Sequence, residues 1–242
     1  MFDPLPPRPS AVDACADALR RRILDGELAA GARLPPEREL AASLGASRVT
    51  LRSALARLAE AHLLSVRQGS GYVVRDFRRA AGPDLLPALV DLARGRDAAA
   101  IAADLLLVRR HLAAAVLERL AGGVGEAALR RISTAVDALE ARADEGAPTA
   151  AIAEADVEVV AALLAATRSP VVQLCLNPIL AILQSLPALR DAMYAAPAGN
   201  VVGWRMLLEW ARTGDRAAIP LVLAELERRD EATLARLGRR KK

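Results

Sequence analysis

Aromatic residues make up only 2% of the chain, and lysine occurs only as Lys241 and Lys242 at its end. With so few rings the core must be built from Ala, Leu, Val and Ile, and the abundance of Ala and Leu favours helices over sheets. The near absence of lysine excludes chemistry that needs an ordered amine, a pyridoxal phosphate Schiff base included. Histidine is equally scarce: His62 and His111 stand apart from each other and from any Cys, so neither a zinc-finger nor an HExxH spacing exists. No metal site and no cofactor are expected. Cys15 and Cys175 lie far apart, each within an apolar helical pattern, and read as buried, reduced thiols rather than a disulfide or redox pair. No stretch approaches about 18 uncharged apolar residues, and the leader MFDPLPPRPS lacks a basic and then an apolar segment. A cytoplasmic protein without a membrane partner is expected.

What is present is an apolar fraction of 53% and a charged fraction of 26% over 242 residues, the composition of one large globular domain or two modest ones. Proline and glycine punctuate the chain. Ser10 is placed to cap a helix that runs to Asp25 with Val12, Leu19, Ile23 and Leu24 on one face, and Gly26 ends it. After two glycine turns and a short extended piece at Arg33-Leu34, a second helix starts at Pro35-Pro36 with Glu37 and Glu39 in its first turn. It stops at Gly45. A third, capped by Ser47, carries Leu51, Leu55 and Leu58 to about Ala61. Beyond His62 the period changes to two: Leu64, Val66 and Arg67, a turn at Gln68-Gly69-Ser70-Gly71, then Tyr72 to Arg75, the signals of a β-hairpin. Residues 77–84 are polar and turn-rich and read as a linker. From Leu85 onward the segments are amphipathic helices, about seven of them, joined as in an antiparallel bundle. The predicted architecture is mainly α: an N-terminal winged helix-turn-helix over 10–76 with a small β-hairpin wing, and an all-α helical domain over 85–238.

Three helices followed by a hairpin, with a tight turn at Leu44-Gly45-Ala46, is the order of a winged helix-turn-helix, whose third helix enters the DNA major groove. Charge agrees with that reading. Between Arg48 and Arg79 there are seven arginines against two acids, Glu60 and Asp76, an excess that the whole-chain net charge of +4 conceals. Ser47 and Arg48 open the third helix, where side chains reach base edges and an Arg fork matches guanine O6 and N7. Thr50 and Arg52 follow within a turn and suit base or phosphate contact. Arg38 is placed to hold phosphate, and Gln68 and Gly69 form a wing tip small enough for the minor groove.

The run RLPPERELAASLGASRVTLRSALARLAEAHLLSVRQGSGYVV resembles the DNA-binding domain of the GntR superfamily of bacterial transcription regulators, with a match from about Ala14 to Val74. The resemblance implies operator contact by the same residues, and two positions depart from it. Val49 replaces a Thr and Gln68 replaces the wing His; Val49 can meet a thymine methyl but donates no hydrogen bond.

ADLLLVRRHLAAAVLERLA, EADVEVVAALLAATRSPVVQLCLNPIL and WRMLLEWARTGDRAAIPLVLAELERRD resemble the helical effector domain of the FadR subfamily, the FCD or FadR-C type. In the metal-binding branch of that type an Asp and three His hold a divalent cation. Here the Asp position is Asp156, while the His positions fall on Val160, Trp204 and Leu226, so a metal-free pocket is implied. Leu226-Glu227-Arg228 stands where fatty-acid-responsive members have a CoA-binding surface, which leaves acyl-CoA sensing unsupported.

Arg109, between Leu105 and Leu112 on an apolar stripe, needs an anionic or carbonyl partner, either an effector or Asp156. Gln173, Asn177 and Gln184 fall on or near one side of a helix that Pro178 is expected to kink, freeing the carbonyl of Leu174 for another donor. Trp204, Arg205 and Tyr194 could complete an amphipathic wall or simply pack with their polar tips at the surface. The whole reads as a homodimeric transcriptional regulator, with repression the expected sense, that binds a palindromic operator in double-stranded DNA. Its DNA affinity would change when a small-molecule effector, a carboxylate or acyl compound, enters the helical domain through Arg109, Asp156, Gln173, Asn177, Trp204 and Arg205. A constitutive DNA-binding dimer is the alternative. A fused enzyme is disfavoured, because the helical half offers neither an ordered lysine nor a Ser/His/Asp constellation nor a phosphate loop.

Overall fold

The computed structural model describes residues 10–67, 71–92 and 96–239, and the chain separates into two compact units, Met1–Arg94 and Gly95–Lys242. In the first, helix α1 (Ala11–Leu24) begins with a reciprocal capping box: Asp13 N donates to Ser10 Oγ at 3.1 Å, and Ser10 N donates to the Asp13 carboxylate at 3.2 Å. Helix α2 (Glu37–Ser43) follows Pro36 and carries Glu37 and Glu39 at its positive end. Gly45, at φ +60°, makes the turn into α3 (Arg48–Glu60). Strands β1 (Leu64–Arg67) and β2 (Gly71–Val74) pair antiparallel with Leu64 opposite Val74, and Arg33 adds an isolated bridge to Val73, the extended piece expected there. Leu19, Leu51, Leu55, Leu58, Leu63 and Leu64 are fully buried together. Each such leucine contributes about 1.5–3 kcal/mol by leaving water.

The division between units falls later than the linker expected at 77–84. That stretch folds into a short helix α4 (Phe77–Ala80) capped by Asp76, then a 3-10 turn at Pro83–Leu85 that leads into α5 (Leu86–Leu92). Leu85 is buried in the N-terminal core, and Ala88, Leu89 and Leu92 pack against it. The apolar stripe of α5, expected to belong to the helical domain, completes the core of the first unit instead.

The second unit contains seven described α-helices: α6 (Arg96–Leu120), α7 (Glu126–Asp144), α8 (Thr149–Ala166), α9 (Pro170–Ser185), α10 (Pro187–Met193), α11 (Pro197–Thr213) and α12 (Ile219–Arg239). Helix α7 packs on α8 and α11, and α6 packs on α9 and α12. The core runs through Val116, Leu120, Ile132, Leu139, Val159 and Leu208. Helix α9 continues through Pro178, and the chain then turns by 98° into α10. Gly214 terminates α11 at φ +60°, where a Cβ would overlap the backbone nitrogens of Gly122 and Gly123. No single described helix is long and apolar enough to cross a membrane. Cys15 is buried as expected, but Cys175 is exposed: it lies on the outer side of α9, beside Leu174 and one turn from Val171, which are about 70% exposed.

Candidate nucleic-acid interface and effector cavity

The opening turn of α3 is presented outward by its own cap. Ser47 Oγ accepts from Thr50 N at 3.0 Å and lies 2.8 Å from Thr50 Oγ1, so both hydroxyls are committed to starting the helix. Arg48 and Val49 project from this turn, Val49 with 77% of its surface exposed. An apolar side chain so placed contributes nothing to the core and is available to a partner's surface. Arg38 on α2 is exposed, and neither it nor Arg48 has an ionic partner among the described residues. Arg52 is tied to α2 instead, its Nε donating to Glu37 at 2.7 Å.

The arginine excess is therefore partly internal. Arg57 pairs with Asp13 of α1, Arg75 reaches His62 Nδ1 at 3.4 Å, and Arg78 stacks on the Phe77 ring at 4.8 Å. Gln68 and Gly69 lie outside the described residues.

In the second unit a cavity of about 180 Å³ opens between α6, α8, the end of α10, α11 and α12. Asp156 of α8 accepts from Trp204 Nε1 at 2.5 Å and from Tyr194 Oη at 2.9 Å. Burial holds its carboxyl above the ordinary range, against the pull of those two donors and of the nearby Arg109 and Arg229. Burial and the Asp156 charge likewise push the Tyr194 phenol well up, so it stays a neutral donor. Arg109 does not pair with Asp156. It pairs with Asp230 of α12, a side chain only 5% exposed, while Arg110 bonds Glu227 at 2.9 Å and stands 3.7 Å from Asp230. Arg109 Nε and Asp230 Oδ2 are buried without a hydrogen-bond partner. Arg229 donates to Asn200 Oδ1 at 2.5 Å and makes no ion pair among the described residues, although burial lowers its pKa from the ordinary arginine value.

Of the six residues expected to hold an effector, Arg109, Asp156 and Trp204 line this cavity and the other three do not. Gln173 Nε2 donates to the Leu164 carbonyl at 3.1 Å and ties α9 to the end of α8. Asn177 faces outward on α9. Arg205 is held outside by Asp137 at 2.7 Å and by Glu140. The residues that sequence reasoning missed, Asn200, Arg229, Asp230 and Thr233, come from α11 and α12. A signal existed: Ile219, Leu226, Asp230 and Thr233 recur at helical spacing, which puts an acid and a hydroxyl on the buried stripe of α12.

The cavity does not fit the divalent cation held by the metal-binding branch of such domains. Trp204 points an N–H at the Asp156 carboxylate where a ligand would need a lone pair, and among the described residues no three His, Cys, Asp or Glu side chains converge.

Residues 12–74 match the family of bacterial regulatory proteins named gntR, and residues 104–229, just over half of the chain, match the FCD domain. The chain belongs to the GntR family of transcriptional regulators. Its first unit is the DNA-binding helix-turn-helix and its second the FCD effector domain. The regulator is 48% identical over 83 residues to the HTH-type transcriptional regulator Mce2R of Mycobacterium tuberculosis, a match covering 34% of this chain and 35% of that one. It is 36% identical over 90 residues to the fatty acid metabolism regulator protein of Vibrio cholerae, covering 37% and 32%. These matches thus span about a third of the length of the curated relatives. A solved structure described as Lar, which controls the expression of the Listeria monocytogenes agr system and mediates virulence, shares the fold over 99% of both chains, with a TM-score of 0.55 at 16% identity.

Proposed function

We propose that this GntR regulator is a cytoplasmic, non-enzymatic homodimer that represses by binding a palindromic operator and is released when a small carboxylate enters the Asp156 cavity. The observation that carries the effector is Arg229. Its guanidinium is desolvated by burial, bonded to the neutral Asn200 amide and in ion-pair contact with no carboxylate among the described residues, although Asp156, Glu225 and Asp230 lie near enough to favour its charge, so it has donors left for an entering carboxylate. The cavity supplies the remaining selectivity: Trp204 and Met193 offer apolar surface, and Asn200 and Thr233 offer hydrogen bonds. At about 180 Å³ it lies below the ~300–1,000 Å³ of drug-sized pockets, which favours a compact acid over a long acyl chain.

On DNA, Arg48 and Val49 read base edges, Arg38 holds phosphate, Ser47 and Thr50 fix the turn that presents them, Arg52 reaches phosphate only by leaving Glu37, and Gln68 with Gly69 enters the minor groove. Two-fold symmetry sets two such helices one helical turn apart along the duplex. The carboxylate acts by binding one dimer geometry better than the other, and that differential affinity is the response.

The test is fluorescence anisotropy with a palindrome selected from random DNA, read against its scrambled sequence at matched salt, together with thermal unfolding in a panel of small carboxylates and their amides. Support is a carboxylate that raises the melting temperature, lowers operator affinity and loses both effects in Arg229→Gln. A palindrome bound no better than its scramble sinks the operator half. A panel that moves neither quantity sinks the effector half and leaves a constitutive DNA-binding dimer.

A further inference from the structure

A second cleft, sharing no residue with the Asp156 cavity, lies where the end of α6, the start of α7 and the end of α8 meet. It measures about 500 Å³, within the range of small-molecule sites. Its walls are alanines of α7 and α8, which leave room, and its charged groups are Arg119, Arg131 and Arg168, without an Asp or Glu in the lining. Neighbouring arginines find acids: Arg130 lies 3.8 Å from Glu126, and Arg216 lies 3.5 Å from Glu118. The three cleft arginines have no ionic partner among the described residues. All three side chains are exposed, so solvent screens their mutual repulsion, and the acid-free concave surface that carries them has a local excess of positive charge that favours an anion.

One further feature favours an anion there. Helix α7, 19 residues long, starts at Gly125 with no side-chain cap, and Gly125, Ala127 and Ala128 line the cleft, so the positive end of the helix faces it. The floor is rigid as well. The loop between α6 and α7 is bonded to α11, Gly122 N to Gly214 O at 2.9 Å and Val124 N to Ala211 O at 3.1 Å.

We propose that this cleft binds a small multivalent oxyanion of the phosphate class, held by the guanidinium forks of Arg119, Arg131 and Arg168 at the amino end of α7. Arginine forks match tetrahedral oxyanions by paired N–H donors, and three guanidiniums on one acid-free lining favour an anion that carries more than one negative charge.

The test is calorimetric titration of the full-length protein with sodium pyrophosphate at constant ionic strength. Wild type is compared with Arg131→Gln, with the triple variant R119Q/R131Q/R168Q, and with Arg142→Gln, an arginine of α7 that does not line the cleft. The expected result is one saturable site per chain, weakened about tenfold or more by R131Q, abolished in the triple variant and unchanged in R142Q. Circular dichroism and melting of the triple variant establish that it folds. Heat no greater than that of sodium chloride at equal ionic strength, or equal affinity in the wild type and the triple variant, overturns the proposal. So does a triple variant that loses operator affinity when the wild type does not bind pyrophosphate, because the cleft would then be a DNA phosphate contact.

Discussion

Removing the Asp230 carboxylate is the sharpest probe of how the effector domain is held together. Arg109, 17% exposed, and Arg110, 20% exposed, both face this one side chain, which is itself 5% exposed. Truncation in Asp230→Ala leaves Arg109 buried without its ion-pair partner and Arg110 with only Glu227, and breaking such a buried pair costs about 3–5 kcal/mol. For a unit of roughly 150 residues that cost lowers the melting temperature by about 10–15 °C. Replacing both partners, as in R109M/D230L, removes the stranded charge and fills the space, so its cost falls to within about 1–2 kcal/mol of wild type. The assay is urea unfolding followed by tryptophan fluorescence, which reports on this unit alone because both tryptophans, Trp204 and Trp210, belong to it. The reasoning fails if D230A costs less than about 1 kcal/mol, or if R109M/D230L is as unstable as D230A.

The remaining predictions concern the cavity, Arg38 and the first turn of α3. Because burial raises the Asp156 carboxyl above its ordinary 3.8, the folded state holds a proton that the unfolded state has released once pH passes that value, so stability declines from about pH 4 up to the raised pKa and is level above it. Asp156→Asn should flatten that decline in a pH series of unfolding curves, and an unchanged slope would place the titration elsewhere. Arg48→Ala should weaken operator binding by about 1–3 kcal/mol and relax discrimination at one base pair, whereas Arg38→Ala should weaken all sequences alike and reduce the salt slope by about 1. Equal effects of the two on specificity in anisotropy titrations would show that Arg48 does not read bases. Ser47→Ala removes the cap that accepts Thr50 N and should cost about 1 kcal/mol, seen as faster amide exchange in the first turn of α3. Unaltered exchange there would mean that the turn is held by other contacts.

Much of the first unit was legible because its signals are local. A serine three residues before an acid makes the box at Ser10, a glycine at φ +60° makes the turn at Gly45, and the change from a 3.6 to a 2 period marks the hairpin. The misplacement of α5 had the opposite cause. Leu85, Leu89 and Leu92 form an amphipathic stripe that fits either unit, and only packing shows that it covers the N-terminal core. The outward turn of Cys175 escaped for the same reason, since an apolar pattern says that a face exists but not whether a neighbour covers it.

The sequence by itself determined a mainly helical chain with an arginine-rich helix-turn-helix in front and a lysine-free bundle behind, along with the caps, the turns and the absence of the family's three histidines. It also marked Arg109, Asp156 and Trp204 as polar groups on buried faces. Which of them meet was decided by tertiary structure. Arg109 pairs with Asp230, 121 positions away, and Asp156 takes Trp204 and Tyr194, because the register of α12 against α6 brings one carboxylate under two guanidiniums. Periodicity assigns a residue to a face. Only helix-on-helix packing chooses its partner, and among the described residues that choice leaves Arg229 outside any ion pair and the lining of the Arg119, Arg131 and Arg168 cleft without an acid.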